Sequence, residues 1–218
     1  MVKVLAIAHF CKGERLLKTF KELGCQTVLL SRADLQDKPW PRDLVDEVSQ
    51  FSRFPTAQLM CADLNSVVEE AIDVFQGRLD GILLRGKLGS GLAEVFIDPQ
   101  QFKRVVVNLI DNAAEAVKDS WVREILISTA PGPLPDTVAL VVADSGSGIS
   151  PEDKEKLFLP YFSTKKRGTG LGLAIANRIL SDHGAAIRVE DNRPTGSRFI
   201  IEVPTAENRA AVAAGGEA

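Results

Sequence analysis

An α/β fold is predicted for residues 63–204 on three observations: stretches of helical period, short apolar runs of strand length between them, and glycine-bearing segments at the junctions. The first helix runs from Asp63 to Phe75, with Asp63 or Asn65 as its cap. A strand follows near Ile82–Arg85. The second helix, Gln101–Val117, has apolar residues at Phe102, Val105, Val106, Leu109, Ile110, Ala113 and Val117. Asp98-Pro99 just upstream supplies an N-cap and a first-turn proline. Strands are expected near Glu124–Thr129 and Val138–Ala143. The third helix, Leu171–Asp182, is followed by His183 and by Gly184, which reads as a C-terminal cap. Ala186–Glu190 and Arg198–Val203 close the fold as strands, and residues 205–218 are expected to be a disordered tail.

Residues 1–48 read differently. Val2–Ala8 and Gln26–Leu30 are strand-like, and Gly13–Gly24 has helical period, which makes one βαβ-like unit. That is too little chain for an independent core. It carries no G-x-G-x-x-G, so no nucleotide is assigned to it. The prolines of Asp37-Lys-Pro-Trp40-Pro41 mark a break, and residues 49–62 form a linker.

With 218 residues, 45% hydrophobic and 25% charged, the chain has room for one or two ordinary globular domains. A net charge of −3 gives no footprint for nucleic acid. Cys11, Cys25 and Cys61 are odd in number and lack C-x-x-C spacing, which favours reduced thiols and a cytoplasmic setting. No run reaches the roughly 18 apolar residues of a membrane span, and no signal peptide is expected at Met1-Val-Lys.

Four segments carry chemistry. Asn108 and Asn112 lie four apart on the second helix and share a face. Their amide oxygens suit Mg²⁺ that keeps waters and also binds phosphates; two core-edge or capping asparagines are the plainer alternative. Asp144-Ser-Gly146-Ser-Gly148 follows an apolar strand, so a carboxylate at the strand end is placed to accept from an amine such as that of adenine. The glycines let backbone approach a flat base, although an ordinary strand-to-turn Asp-Ser-Gly would look the same. Gly168-Thr169-Gly170-Leu171-Gly172-Leu173 runs into a helix whose N-terminal N–H groups attract phosphate, or else is a flexible linker. Between the last two lies Leu157-Phe158-Leu-Pro160-Tyr-Phe162-Ser-Thr-Lys165.

In this order the segments resemble the N, G1, F and G2 boxes of the ATP-binding catalytic domain of sensor histidine kinases, a fold shared with Hsp90-, gyrase- and MutL-type ATPases. The resemblance covers roughly residues 63–204. It implies a Bergerat-type two-layer sandwich: one mixed sheet with three helices on one face. It implies that Asn108 and Asn112 handle Mg²⁺ and phosphates, with Asn112 the direct ligand. Asp144 would bind the adenine amine, and Gly146 and Gly148 would shape the base pocket. Phe158 and Phe162 would anchor a lid, Ser150–Thr169, that carries Lys165 toward the phosphates. Gly168, Thr169, Gly170, Leu171, Gly172 and Leu173 would line the phosphate end, and Ser197 would lie near the base. Glu115 stands where many members carry Lys or Arg, which brings the chain nearest the nitrogen-regulation branch. Asn108 stands where hydrolytic relatives carry a Glu base, which argues against an Hsp90-like ATPase.

The function so implied is transfer of the ATP γ-phosphate to a histidine, with a response regulator downstream. Neither His9 nor His183 has the setting of an acceptor. The acceptor hairpin is therefore expected in trans, since residues 49–59 resemble only the end of such a hairpin. Residues 1–48 weakly resemble the start of an ATP-grasp N-terminal lobe, by natural or artefactual fusion. The alternatives are an ATP-binding interaction module without transfer activity and an inactive fusion fragment.

Overall fold

The structure is a computed structural model that describes residues 3–6, 26–29, 56–160, 162–163 and 170–207. The chain divides into two units, Met1–Ser49 and Gln50–Ala218. In the first, β1 (Lys3–Ala6) pairs in parallel with β2 (Gln26–Leu29), Lys3 opposite Gln26. The helix expected at 13–24 lies outside the described residues, as does the tail from residue 208.

The second unit begins with β3 (Met60–Ala62) and α1 (Leu64–Asp73), then β4 (Leu83–Lys87), β5 (Val95–Ile97) and α2 (Pro99–Val117). Strands β6 (Glu124–Pro131) and β7 (Thr137–Asp144), the single turn α3 (Pro151–Lys154), α4 (Gly172–Asp182), β8 (Ala186–Asp191) and β9 (Ser197–Pro204) follow. One five-stranded sheet has the order β4-β6-β7-β9-β8. Its β4–β6 pair is parallel and its other three pairs are antiparallel, so the sheet is mixed as expected. Helices α1, α2 and α4 form the second layer, α2 packing on both neighbours and on β6 and β7.

The three helices exist because each buries one stripe. In α2 the seven apolar residues named from the sequence are all buried. A fully buried aliphatic or aromatic side chain contributes about 1.5–3 kcal/mol over an exposed one, so packing rather than propensity holds this helix. Asp98 caps it, its carboxylate accepting from the N–H groups of Gln100 and Gln101, with Pro99 in the first turn. Asp63, rather than Asn65, caps α1 by accepting from the N–H groups of Asn65 and Ser66. Bond formation with Ser66 holds the Asp63 carboxyl below its ordinary value.

Several features depart from the expected list. The turn α3 is additional, and Thr205, expected in the disordered tail, is buried and its N–H donates to Asp136 O. The antiparallel pair β3–β5 is additional, three residues on each side, and Val95 bridges onward to Thr205. Strand β4 sits one to two residues later than expected, because Ile82 is held in a turn by the Leu79 carbonyl and Leu83 is the first residue to reach the sheet, donating to Arg123 O.

Register positions the chemistry. Along β7, Val138, Leu140, Val142 and Asp144 are buried in strict alternation. A strand alternates its faces with period two, so Asp144 shares the parity of the core residues and enters the layer between sheet and helices.

Candidate nucleotide site

Asp144 is 3% exposed. Its Oδ1 accepts from the N–H groups of Gly146 (2.8 Å) and Ser197 (3.2 Å). Among the described residues none donates to Oδ2, so a buried carboxylate keeps one oxygen for something else. Burial pushes the Asp144 carboxyl above its ordinary value, against the pull of the two N–H donors.

The backbone closes tightly around this carboxylate. Gly146 lies against Ala116 of α2: a Cβ there would stand 2.6 Å from the Ala116 carbonyl oxygen. Gly196 is tighter, with φ of +108° and a notional Cβ 1.9 Å from Asp144 O. Gly148, at φ +78°, faces Gly196 O. Asn192 Nδ2 donates to Asp144 O at 2.8 Å. Ser145 ties the turn to the start of β6: its Oγ donates to Val122 O and accepts from Glu124 N–H. Together these contacts make a rigid backbone wall with one carboxylate oxygen at its base.

The asparagines meet as their spacing requires, Asn112 Nδ2 donating to Asn108 Oδ1 at 3.2 Å. Gly172, the first residue of α4, packs onto this pair. A Cβ on Gly172 would stand 2.6 Å from Asn108 Oδ1. Gly170 has φ of +69°, and Leu171, fully buried, opens the helix with its carbonyl accepting from Ile175 N–H. The N-cap residue Leu171 has no polar side chain with which to cap α4. Leu173 is half-buried just beyond. A groove of about 210 Å³ runs between the two helices, lined by Arg104, Asn108, Asp111, Gly172, Ile175 and Ile179. A larger, open hollow of about 430 Å³ at Gly81 and Asp119–Arg123 contains neither the carboxylate nor the asparagines.

The clash at Gly172 is with a side chain, which yields. Gly172→Ala is therefore expected to cost at most about 1–2 kcal/mol in unfolding free energy. If Asn108 handles the phosphates as the resemblance implies, its displacement should also weaken nucleotide binding about tenfold or more, read by denaturant melts beside titration calorimetry.

Of the expected lid, α3 is capped by Ser150, whose Oγ accepts from Asp153 N–H. Lys154 reaches Asp191 at the end of β8, 2.6 Å away. Phe158 and Phe162 are half-buried beyond it, and Phe162 N–H donates to Leu159 O. Lys165, Gly168 and Thr169 lie outside the described residues.

The structure thus gathers Asp144, Gly146, Gly148 and Ser197 in one cluster and Asn108, Asn112 and Gly172 in another, with Gly170 two residues before Gly172. Sequence reasoning missed Asn192, Gly196 as a wall, and Ser145 as a tether. The turn residues of Asn192-Arg-Pro-Thr-Gly196 were the available signal. Among the described residues no group of three or more His, Cys, Asp or Glu could hold a metal ion. None of their helices is long and apolar enough to cross a membrane.

Comparison with known proteins gives the family. A family model described as "Histidine kinase-, DNA gyrase B-, and HSP90-like ATPase" matches residues 97–207. The sensor histidine kinase ZraS of Escherichia coli (strain K12) is 31% identical over 163 residues, covering 74% of this chain and 34% of ZraS. The chain spans about a third of the length of the curated relatives it matches. The catalytic domain of histidine kinase ThkA superposes with a TM-score of 0.59 at 33% identity, over 68% of this chain and 96% of that one. ThkA solved in complex with the response regulator protein TrrA superposes with a TM-score of 0.63 at 29% identity, over 76% and 47% of the two chains. The chain belongs to the family of histidine kinase-, DNA gyrase B- and HSP90-like ATPases, and carries the ATP-binding catalytic domain of sensor histidine kinases.

Proposed function

We propose that this chain binds ATP with Mg²⁺ and transfers the γ-phosphate to a histidine supplied by another hairpin, in the cytoplasm, ahead of a response regulator. The observation that carries the reading is Asp144: a buried carboxylate with Oδ1 committed to two backbone donors and Oδ2 left to a ligand amine. The residues fit the nucleotide. An adenine amine would complete Oδ2, and its plane would lie along the Gly146–Gly148 and Gly196 backbone. The phosphates would reach the N-terminus of α4, where N–H groups and the helix dipole favour anions.

The residues also fit Mg²⁺. Asn112 meets Asn108 through its amide nitrogen, and an amide oxygen such as its Oδ1 is the hard neutral donor that Mg²⁺ takes. A cation that prefers water and phosphate oxygens needs only one or two such protein ligands; it would neutralise charge on the phosphates. Phosphoryl transfer asks mainly for positioning and charge neutralisation. An imidazole nitrogen of the acceptor would attack the γ-phosphorus as the bond to the β–γ bridging oxygen breaks, releasing ADP. The imidazole proton would pass to a base that arrives with the acceptor. Glu115, exposed on α2, supports placement in the nitrogen-regulation branch.

Asn112→Ala tests the metal role. Its affinity for Mg-AMP-PNP, by calorimetry, is expected to fall about tenfold or more (~1.4 kcal/mol), while affinity for metal-free ADP stays within about threefold. Equal losses for both ligands would remove Asn112 as the cation ligand. For transfer, this chain, Mg-ATP and an added acceptor hairpin should yield acid-labile, base-stable phosphate on the hairpin.

A further inference from the structure

His183 is fully buried and hydrogen-bonded at both ring nitrogens, yet no step of the proposed reaction uses it. Its Nε2 accepts from Asp98 N–H at 2.9 Å, across 85 residues of sequence. A nitrogen that accepts there carries no proton, so the proton sits on Nδ1, which donates to Ile179 O at 2.7 Å. The Phe102 ring packs edge-on against it, centroids 6.1 Å apart. The imidazole thereby fastens the last turn of α4 to the residue that starts α2. Asp98 in turn divides its carboxylate: Oδ1 caps α2, and Oδ2 accepts from Gln58 N–H at 2.9 Å. Three elements meet at one node: the end of α4, the start of α2, and the segment that enters the domain.

We infer that His183 is a positioning residue: through Asp98 it couples the entering segment at Gln58 to the two helices that hold the nucleotide. This rests on the nucleotide reading above. A bound nucleotide would touch α2 at Asn108 and Asn112 and α4 at Gly172. Asn112 lies about 21 Å along α2 from Asp98, and Gly172 about 16 Å along α4 from His183, by the rise of a helix. Both helices are packed, continuous elements, so clamping one end fixes how they approach at the other. The node at that end holds the entering chain by a backbone hydrogen bond. Nucleotide occupancy is thus reported at Gln58, where the domain meets whatever precedes it, as a coupling between two sites through a contiguous network.

Isosteric variants separate coupling from mere support. His183→Gln places an amide oxygen near the Nε2 position and keeps an acceptor for Asp98 N–H. His183→Asn reaches only the Nδ1 position and loses that link. Asp98→Asn keeps the cap through its one oxygen but cannot accept from Gln58 N–H.

The experiment is hydrogen exchange of residues 56–62 in the full chain, with and without saturating Mg-AMP-PNP, beside calorimetry. In the wild type and His183→Gln, nucleotide is expected to slow exchange about tenfold; in His183→Asn and Asp98→Asn, by less than about twofold, with nucleotide affinity lower by no more than about tenfold, the reciprocal of the same coupling. If His183→Asn fails to melt cooperatively, Asp98→Asn decides. Nucleotide bound by the wild type with no change at 56–62, or an undiminished change in both disrupting variants, overturns the coupling and leaves the nucleotide reading standing. No binding by the wild type overturns both.

Discussion

Asp144→Asn is expected to reverse the base preference of the site. An asparagine has one oxygen, and the N–H groups of Gly146 and Ser197 both claim it. The amide nitrogen then occupies the place of Oδ2, where it donates rather than accepts. In the proposed pose adenine would present an amine there, donor against donor, and hypoxanthine an oxygen in the same place. A site built to bond one such group rejects the mismatch strongly. Affinity for an ATP analogue should fall about 100-fold or more, ~2.7 kcal/mol, and the variant should bind ITP more tightly than ATP. Calorimetric titration with both nucleotides reads this. Retention of ATP affinity within about threefold would remove Asp144 from the base contact.

The same variant has a pH signature without ligand. The folded-state value of the Asp144 carboxyl lies above 3.8, raised by burial. The stability contributed by its protonated form is complete below 3.8 and is lost as pH rises through the raised folded value. Relative to Asp144→Asn, the wild type should therefore lose stability across that window on the way to neutrality. Denaturant midpoints taken through the window measure it.

Gly196→Ala carries the largest expected cost in stability. Its φ of +108° is a region that residues with a Cβ rarely occupy, and the new carbon would stand 1.9 Å from a backbone oxygen and 3.0 Å from Asp144 Oδ1. Backbone strain costs about 1–3 kcal/mol and overpacking about as much again. Unlike Asn108 opposite Gly172, the carbonyl of Asp144 has no side-chain freedom with which to withdraw. A loss of about 3–5 kcal/mol is expected in a denaturant melt, together with loss of nucleotide binding. A melt within about 1 kcal/mol of wild type would mean that the loop before β9 does not wall the pocket.

What the sequence disclosed and withheld divides along physical lines. Helix α2 was legible because seven apolar residues keep one period and Asp98-Pro99 marks its start. The meeting of Asn108 and Asn112 followed from the same geometry. Strand β7 was legible as an apolar run, and Asp144 as its end. Strands β3 and β5 were not, because three residues give no period and Met60 is half exposed. Asn192 and Gly196 could not be tied to Asp144 without the strand order, since nothing local says that β9 lies beside β7. The link from His183 to Asp98 is the same kind of information, a contact across 85 residues decided by how helices pack.

The strand order has a kinetic meaning as well. β6 with β7, and β8 with β9, are hairpins closed by short turns, whereas β7 meets β9 only across the 53 residues that separate Asp144 from Ser197. Closing that longer loop costs more entropy before any contact offsets it. The two walls around the Asp144 carboxylate therefore belong to different hairpins, and the cleft exists only where they are docked. A nucleotide that grips only the docked cleft stabilises the closed domain by mass action and leaves the open chain untouched.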